Sequence, residues 1–140
     1  MSQPTAVGID TSVAVPLLIS SHTAHRAVAG WAVGKTLVLS GHALPETYAV
    51  ITRLPADARV SADDAATLID HNFPRRVALP HSVAAQLHRT LSAAGVSGGS
   101  TYDGMVALAA REHGLALATR DARARTTYDA LGVHTILLPG

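Results

Sequence analysis

The stretch GLALATRDAR, Gly114 to Arg123, carries four apolar residues, Leu115-Ala116-Leu117-Ala118, and then breaks at Arg120-Asp121. A strand with one wet face alternates apolar and polar residues, whereas an unbroken apolar run reads as a strand covered on both faces. Four further runs share that character: Ala6-Val7-Gly8-Ile9, Thr36-Leu37-Val38-Leu39-Ser40, Arg76-Val77-Ala78-Leu79 and Thr135-Ile136-Leu137-Leu138. Between them the period changes to that of a helix. Ala62, Ala65, Ala66, Ile69 and Phe73 form one stripe; Val83, Leu87, Leu91 and Ala94 form a second. Tyr102, Met105, Val106, Ala109 and Ala110 form a third, and Ala124, Tyr128 and Leu131 a short last one ending at Gly132. Strands alternating with helices imply right-handed crossovers, hence a three-layer α/β/α sandwich around a mainly parallel sheet.

The chain has 140 residues, 48% of them hydrophobic, which suits one core and hence a single domain over 1–140. Pro55 to Ser61 and Ser97 to Ser100 read as loops. Cysteine is absent, excluding disulfides and thiolate metal sites and suiting a reducing cytoplasm. The start, MSQPTAVGID, has no basic, long-apolar leader, and no apolar run is long enough to cross a membrane. Charged residues make up 15%, against roughly 25% in an average soluble protein. Such a surface leaves apolar area for a partner or a second copy, and an Ala-rich composition accounts for it equally well.

In parallel sheets of this kind, ligands gather where the strands end and the chain leaves for the helices. Four acids fall there. Asp10 follows the first run, Asp121 follows Leu115–Ala118, Glu46 stands in the first turn of the helix that Pro45 would open, and Asp103 stands in the first turn of the helix before Leu115. Each has a local alternative. Asp103 lies three residues after Ser100, as in a capping box, and Asp10 and Asp121 could cap helices. Ser, Thr or Asn would cap as well, so the repeated choice of carboxylate at one edge needs another cause. A cluster of like charges is costly unless cations neutralise it, and hard oxygen donors select Mg²⁺ or Mn²⁺. Metal-assisted hydrolysis of a phosphodiester is the chemistry such a site suits. Setting the four acids aside turns the formal net charge of +1 into +5 for the remaining surface, which attracts a polyanion.

These residues resemble the PIN-domain ribonucleases, in particular the VapC-type toxins of VapBC toxin–antitoxin pairs. The resemblance rests on Ile9-Asp10-Thr11-Ser12-Val13, Leu44-Pro45-Glu46-Thr47-Tyr48, Tyr102-Asp103-Gly104-Met105-Val106-Ala107-Leu108-Ala109, and Leu117-Ala118-Thr119-Arg120-Asp121 followed by Tyr128-Asp129-Ala130-Leu131-Gly132-Val133. It implies a parallel-sheet α/β fold, a cytoplasmic endoribonuclease using Mg²⁺ or Mn²⁺, and inhibition by a cognate VapB-type antitoxin. Together with the low charge content it implies a homodimer. It also implies that Asp10, Asp103 and Asp121 hold metal, that Glu46 holds a water of the metal's shell or a second ion, and that Thr11 or Ser12, together with Thr119, orients the carboxylates. Gly104 departs from good helix chemistry and suggests close approach of another backbone.

Other motifs compete less well. Gly95-Val96-Ser97-Gly98-Gly99 spells G-x-S-x-G, with Asp121 and His134 following in the order of a serine hydrolase, but it follows a helical stripe where a strand is required. Gly30-Trp31-Ala32-Val33-Gly34-Lys35-Thr36 has a spacing one residue short of a P-loop and precedes a strand, so it reads as a helix end. His22 and His25 read as a solvated helix face. Asp63 and Asp64 read as an acidic first turn. Arg120, Arg123 and Arg125 crowd the edge near Asp121 and suit either RNA phosphates or neighbouring acids. Aromatic residues are 4% of the chain, so base stacking is not the main mode of recognition. A non-catalytic protein-binding module remains the alternative from a different class.

Overall fold

A computed structural model describes residues 5–140. Met1 to Pro4, part of the segment read as lacking a leader, lie outside the described residues. Five strands form one parallel sheet: β1 (Thr5–Ile9), β2 (Lys35–Ser40), β3 (Arg75–Val77), β4 (Leu117–Thr119) and β5 (Thr135–Leu137). Eight α-helices connect and cover them: α1 (Thr11–Leu18), α2 (His25–Ala32), α3 (Ala43–Thr52), α4 (Ala62–Asn72), α5 (His81–Ala84), α6 (Leu87–Ala93), α7 (Ser100–Glu112) and α8 (Ala122–Ala130). The expected three-layer sandwich is present.

Strand order is β3-β2-β1-β4-β5. From β1 the chain first builds outward through β2 and β3, then returns to add β4 and β5 on the other side. The order therefore reverses between β1 and β4, and connections diverge there to leave a crevice beyond the strand ends. Register brings those ends level: Ile9 pairs with Leu39 on one side and Ala118 on the other. Residues just past Ile9, Leu39 and Ala118 consequently meet at one edge.

Burial follows the position of each strand in the sheet. The last three residues of β1, the last three of β2 and all of β4 are buried, and Ile9, Val38, Leu39, Leu117 and Ala118 have no exposed surface. The outer strands β3 and β5 are short and partly wet, as unpaired edges require. Arg76, expected to open an apolar strand, lies within β3 and pairs with Asp70 of α4 at 3.0 Å, while Ala78 and Leu79 fall beyond the strand's end.

Some boundaries differ from expectation. Leu115 and Ala116 lie before β4: the end of α7 uses the Leu115 N–H, while the Ala116 carbonyl accepts from the Gly8 N–H of β1 at 2.8 Å. Gly114 adopts φ +65° and the Leu115 N–H donates to the Ala110 carbonyl at 2.9 Å, a Schellman-type closure of the helix. The stripe Val83–Ala94 is two short helices, broken where Gln86 leaves helical values (φ −114°, ψ 16°). His22 lies in a turn before α2 and does not share a helix face with His25, whose Nδ1 approaches the Pro16 carbonyl at 2.7 Å. Gly95–Gly99 joins α6 to α7, so no strand precedes Ser97 and the serine-hydrolase elbow is absent. Among the described residues no helix is long and apolar enough to cross a membrane.

Two glycines position α7. At Gly104 a Cβ would meet Leu91 Cδ2 at 2.6 Å, so the close approach inferred there is to a side chain of α6 and not to a backbone. Gly41 ends β2 with φ +55°, and a Cβ there would meet the Met105 carbonyl oxygen at 2.8 Å and Ala109 Cβ at 2.9 Å. Neither of those atoms is the free end of a flexible chain. Gly41→Ala is therefore expected to lower stability by about 2–3 kcal/mol, combining left-handed strain with the clash, while Gly104→Ala costs less because Leu91 can turn. Urea denaturation of the two variants beside the wild type checks the order.

Candidate active site

Asp10 follows β1 and opens α1, but its carboxylate does not cap that helix. It is 5% exposed, and its two oxygens point to different donors. Ser12 Oγ donates to Oδ1 at 2.6 Å, and the Tyr128 hydroxyl donates to Oδ2 at 2.8 Å. Burial pushes the Asp10 pKa up, and hydrogen bonds from Ser12 and Tyr128 oppose that rise.

A chain of hydrogen bonds joins Asp10 to the end of β4. The single Ser12 proton is given to Asp10, so in the 3.2 Å contact between Ser12 Oγ and Thr119 Oγ1 the Thr119 hydroxyl donates. Thr119 Oγ1 in turn accepts from the Asp121 N–H at 3.0 Å, and Ser12 Oγ accepts from the Arg120 N–H at 2.7 Å. Ser12 and Thr119 thus tie the main chain around Asp121 to the carboxylate of Asp10. Thr11 does something else. Its hydroxyl contacts the Ala43 carbonyl at 3.5 Å and accepts from Thr47 at 3.4 Å, tethering the first turns of the helix that carries Glu46.

Asp121 caps α8 through one oxygen, Oδ1, which accepts from the N–H groups of Arg123 at 2.9 Å and Ala124 at 3.4 Å. The local reading of this acid is correct as far as it goes, and Oδ2 remains outside the cap. Asp103 has no such duty. Gly99 stands at the cap position of α7 and makes no side-chain bond, so the capping box with Ser100 does not form. Glu46 lies in the first turn of α3, exposed; that helix opens at Ala43, two residues before Pro45.

All four acids line one cleft of about 210 Å³, together with Thr11, Ser12, Val106, Ala124 and Tyr128. Their proximity is felt electrically. Burial and then the charges of Asp121, Glu46 and Asp10 raise the Asp103 pKa to about 6, with His42 pulling the other way. Larger hollows lie elsewhere, one of about 350 Å³ between α3 and α4 and one of about 560 Å³ beside α6, but neither collects acids in this way.

The donor set is hard oxygen in a small cleft, the chemistry that a divalent cation of the Mg²⁺ class needs. Among the described residues no three such groups already stand close enough to enclose an ion. The hydrogen bonds above hold Asp10 and Asp121, while neither Glu46 nor Asp103 has a side-chain hydrogen-bond partner among the described residues. Those two carboxylates can turn inward once a cation offsets their repulsion, so the residues fit the ion by chemistry and need side-chain rotation to bind it.

The chain matches the PIN domain over residues 7–130. It belongs to the PIN-domain family. This PIN domain is 49% identical over 137 residues to ribonuclease VapC27 of Mycobacterium tuberculosis (strain ATCC 25618 / H37Rv), covering 98% of each chain. Its fold is shared with the solved structure of FitAB bound to an IR36 DNA fragment, at a TM-score of 0.72 and 22% identity over 94% of both chains. It is shared also with Mycobacterium tuberculosis VapC20, a sarcin-ricin loop cleaving toxin, at a TM-score of 0.64 and 16% identity over 86% of this chain and 93% of that one. Ribonucleases of this family generally depend on divalent metal.

Two features of the site escape a sequence reading. Tyr128 was legible as a core residue of α8, and its ring is buried, but its hydroxyl serves Asp10. Burial and then the Asp10 charge push the phenol pKa far up, which keeps it a donor. Tyr128→Phe is expected to keep the packing yet cost about 1.5–3 kcal/mol at pH 7, the worth of a hydrogen bond to a charged group. Denaturant unfolding measures it. The second feature is Arg120. Pro16 has no N–H, so the Ser12 carbonyl loses its partner within α1, and Arg120 Nη1 supplies one at 3.3 Å while Nε reaches the Pro139 carbonyl at 3.4 Å. Arg125 stands 3.7 Å from Asp129, and the Arg123 guanidinium has no partner among the described residues.

Proposed function

We propose that Asp10, Asp103, Asp121 and Glu46 form the catalytic centre of a Mg²⁺-dependent endoribonuclease, with Mn²⁺ as an alternative ion, and that the protein is the toxin of a type II toxin–antitoxin pair. The observation that carries the reading is the gathering of four acids, distant in the chain, in one cleft at the strand-order reversal. The near-full-length likeness to ribonuclease VapC27 supports RNA as substrate.

Asp10, Asp103 and Asp121 would hold the ion. When bound, it polarises a phosphoryl oxygen and lowers the pKa of the attacking water. Asp10 is held by Ser12 and Tyr128 so that it meets the ion without reorganising. Asp121 offers the oxygen its helix cap leaves over. Glu46, exposed at the mouth, orients the attacking water and accepts its proton. Arg123, exposed beside Asp121, is the arginine best placed to meet an RNA phosphate. Ser12, Thr119 and Thr11 keep strand ends and helix starts in register.

The partner is a VapB-type antitoxin, in keeping with the FitAB complex among fold relatives, and the toxin acts as a homodimer in the cytoplasm. Purified protein incubated with total RNA and Mg²⁺ or Mn²⁺, followed by mapping of new RNA ends, tests the reading. Discrete cuts that EDTA abolishes are expected. No cleavage with either ion would favour a non-catalytic protein-binding module.

A further inference from the structure

Catalytic acids repel the substrate that they act on. The cleft gathers four carboxylates, and two of the three nearby arginines are engaged, Arg120 with the carbonyls of Ser12 and Pro139 and Arg125 near Asp129. Phosphate contacts alone therefore hold RNA poorly at this edge, and a neutral attraction is needed beside the acids.

One is present. His42, at the start of α3, and Tyr102, in the first turn of α7, lie with ring centroids 4.9 Å apart and planes inclined by 30°. Gly41 turns the chain so that His42 reaches α7, and the two rings bridge the helices that carry Glu46 and Asp103. Tyr102 directly precedes Asp103, with Cα atoms about 3.8 Å apart. His42 lies within electrostatic reach of that carboxylate. The pair is not core: Tyr102 is 54% exposed, the most open aromatic ring among the exposed large hydrophobic residues, while Phe73 and Tyr128 are buried. A ring serving only to clip two helices together would gain more by burial than by standing in water.

We infer that the His42–Tyr102 pair is a stacking step for one unpaired nucleobase next to the scissile phosphate, with Tyr102 offering its open face to the base and His42 backing the ring. The inference rests on the ribonuclease reading and adds a substrate-positioning contact to it. It also requires that the RNA be single-stranded at the cut, because a paired base presents no free face. Selectivity at that nucleotide then follows stacking strength, purine over pyrimidine, with no edge-specific hydrogen bonds.

The test uses the full chain and an RNA oligonucleotide spanning the cut mapped from total RNA. Tyr102→Ala and Tyr102→Leu are expected to raise KM roughly tenfold with little change in kcat, and Tyr102→Phe to stay near wild type. Abasic replacement at one nucleotide flanking the cut is expected to slow the wild type by a similar factor and to add nothing in Tyr102→Ala. Unchanged KM in Tyr102→Ala, or abasic and Tyr102→Ala losses that multiply at both flanking positions, would overturn the stacking role while leaving the nuclease intact. A wild type that cuts no RNA removes the ribonuclease reading and the stacking role together. Should Tyr102→Ala melt early, the comparison of Leu with Phe at this position still separates π-stacking from bulk.

Discussion

Asp10→Asn and Asp121→Asn each reduce RNA cleavage by at least about 100-fold while leaving the fold intact. The reason lies in what each carboxylate does for stability. Asp10 is buried, and burial already disfavours its charge, so a neutral amide of the same shape is tolerated. Ser12 can go on donating to the amide oxygen, and the Tyr128 hydroxyl can turn to accept from the amide N–H. Asp121 caps α8, and Asn caps as well. What the substitutions remove is anionic oxygen for a cation. Single-turnover cleavage beside circular dichroism and melting curves decides the matter: cleavage within a few-fold of wild type, still dependent on divalent ion, would remove these two residues from the catalytic centre.

Asp103→Asn separates stability from activity in the opposite direction. The Asp103 carboxyl is raised to about 6, so the folded chain holds this proton where the unfolded chain, near 3.8, has lost it. Its unfavourable contribution is absent below about pH 4, grows as pH rises toward 6, and is complete above that. Without divalent ion, Asp103→Asn should therefore be more stable than wild type at pH 7.5, on the order of 1 kcal/mol once solvent screening of this half-buried group is allowed for, and equal to it at pH 3.5. Cleavage should fall as steeply as in Asp10→Asn. Mg²⁺ should raise the wild-type melting temperature at pH 7.5 more than that of Asp103→Asn, and much less at pH 5, where protons compete for the site. Melting curves over this pH range, with EDTA or Mg²⁺, measure all three. A wild type insensitive to Mg²⁺ at every pH would count against the metal centre even if cleavage occurred.

Asp10 and Asp121 were legible because strand ends are. Apolar runs announce buried parallel strands, and an acid directly after one stands at the edge where such sheets bind ligands. Asp103 was harder to read, since Ser100 offered it a capping box; the helix instead starts at Ser100 with Gly99 before it, and the acid is released to the cleft. Leu115 misled by its apolarity: its side chain packs against the core, but its N–H closes α7 and the residue lies outside β4. The stripe from Val83 to Ala94 kept its periodicity across a broken backbone, because Val83 and Leu87 both pack on the core from separate helices.

By itself the amino-acid sequence determined the α/β class, the order of strands and helices along the chain, and the four acids worth testing. Burial leaves a periodic record in neighbouring residues, and that record can be read without coordinates. Only the tertiary structure decided that β4 returns beside β1, that Tyr128 reaches Asp10 across 118 residues, and that His42 meets Tyr102. Those encounters depend on how crossovers stack the strands, and no local period records which distant side chain will fill a given place.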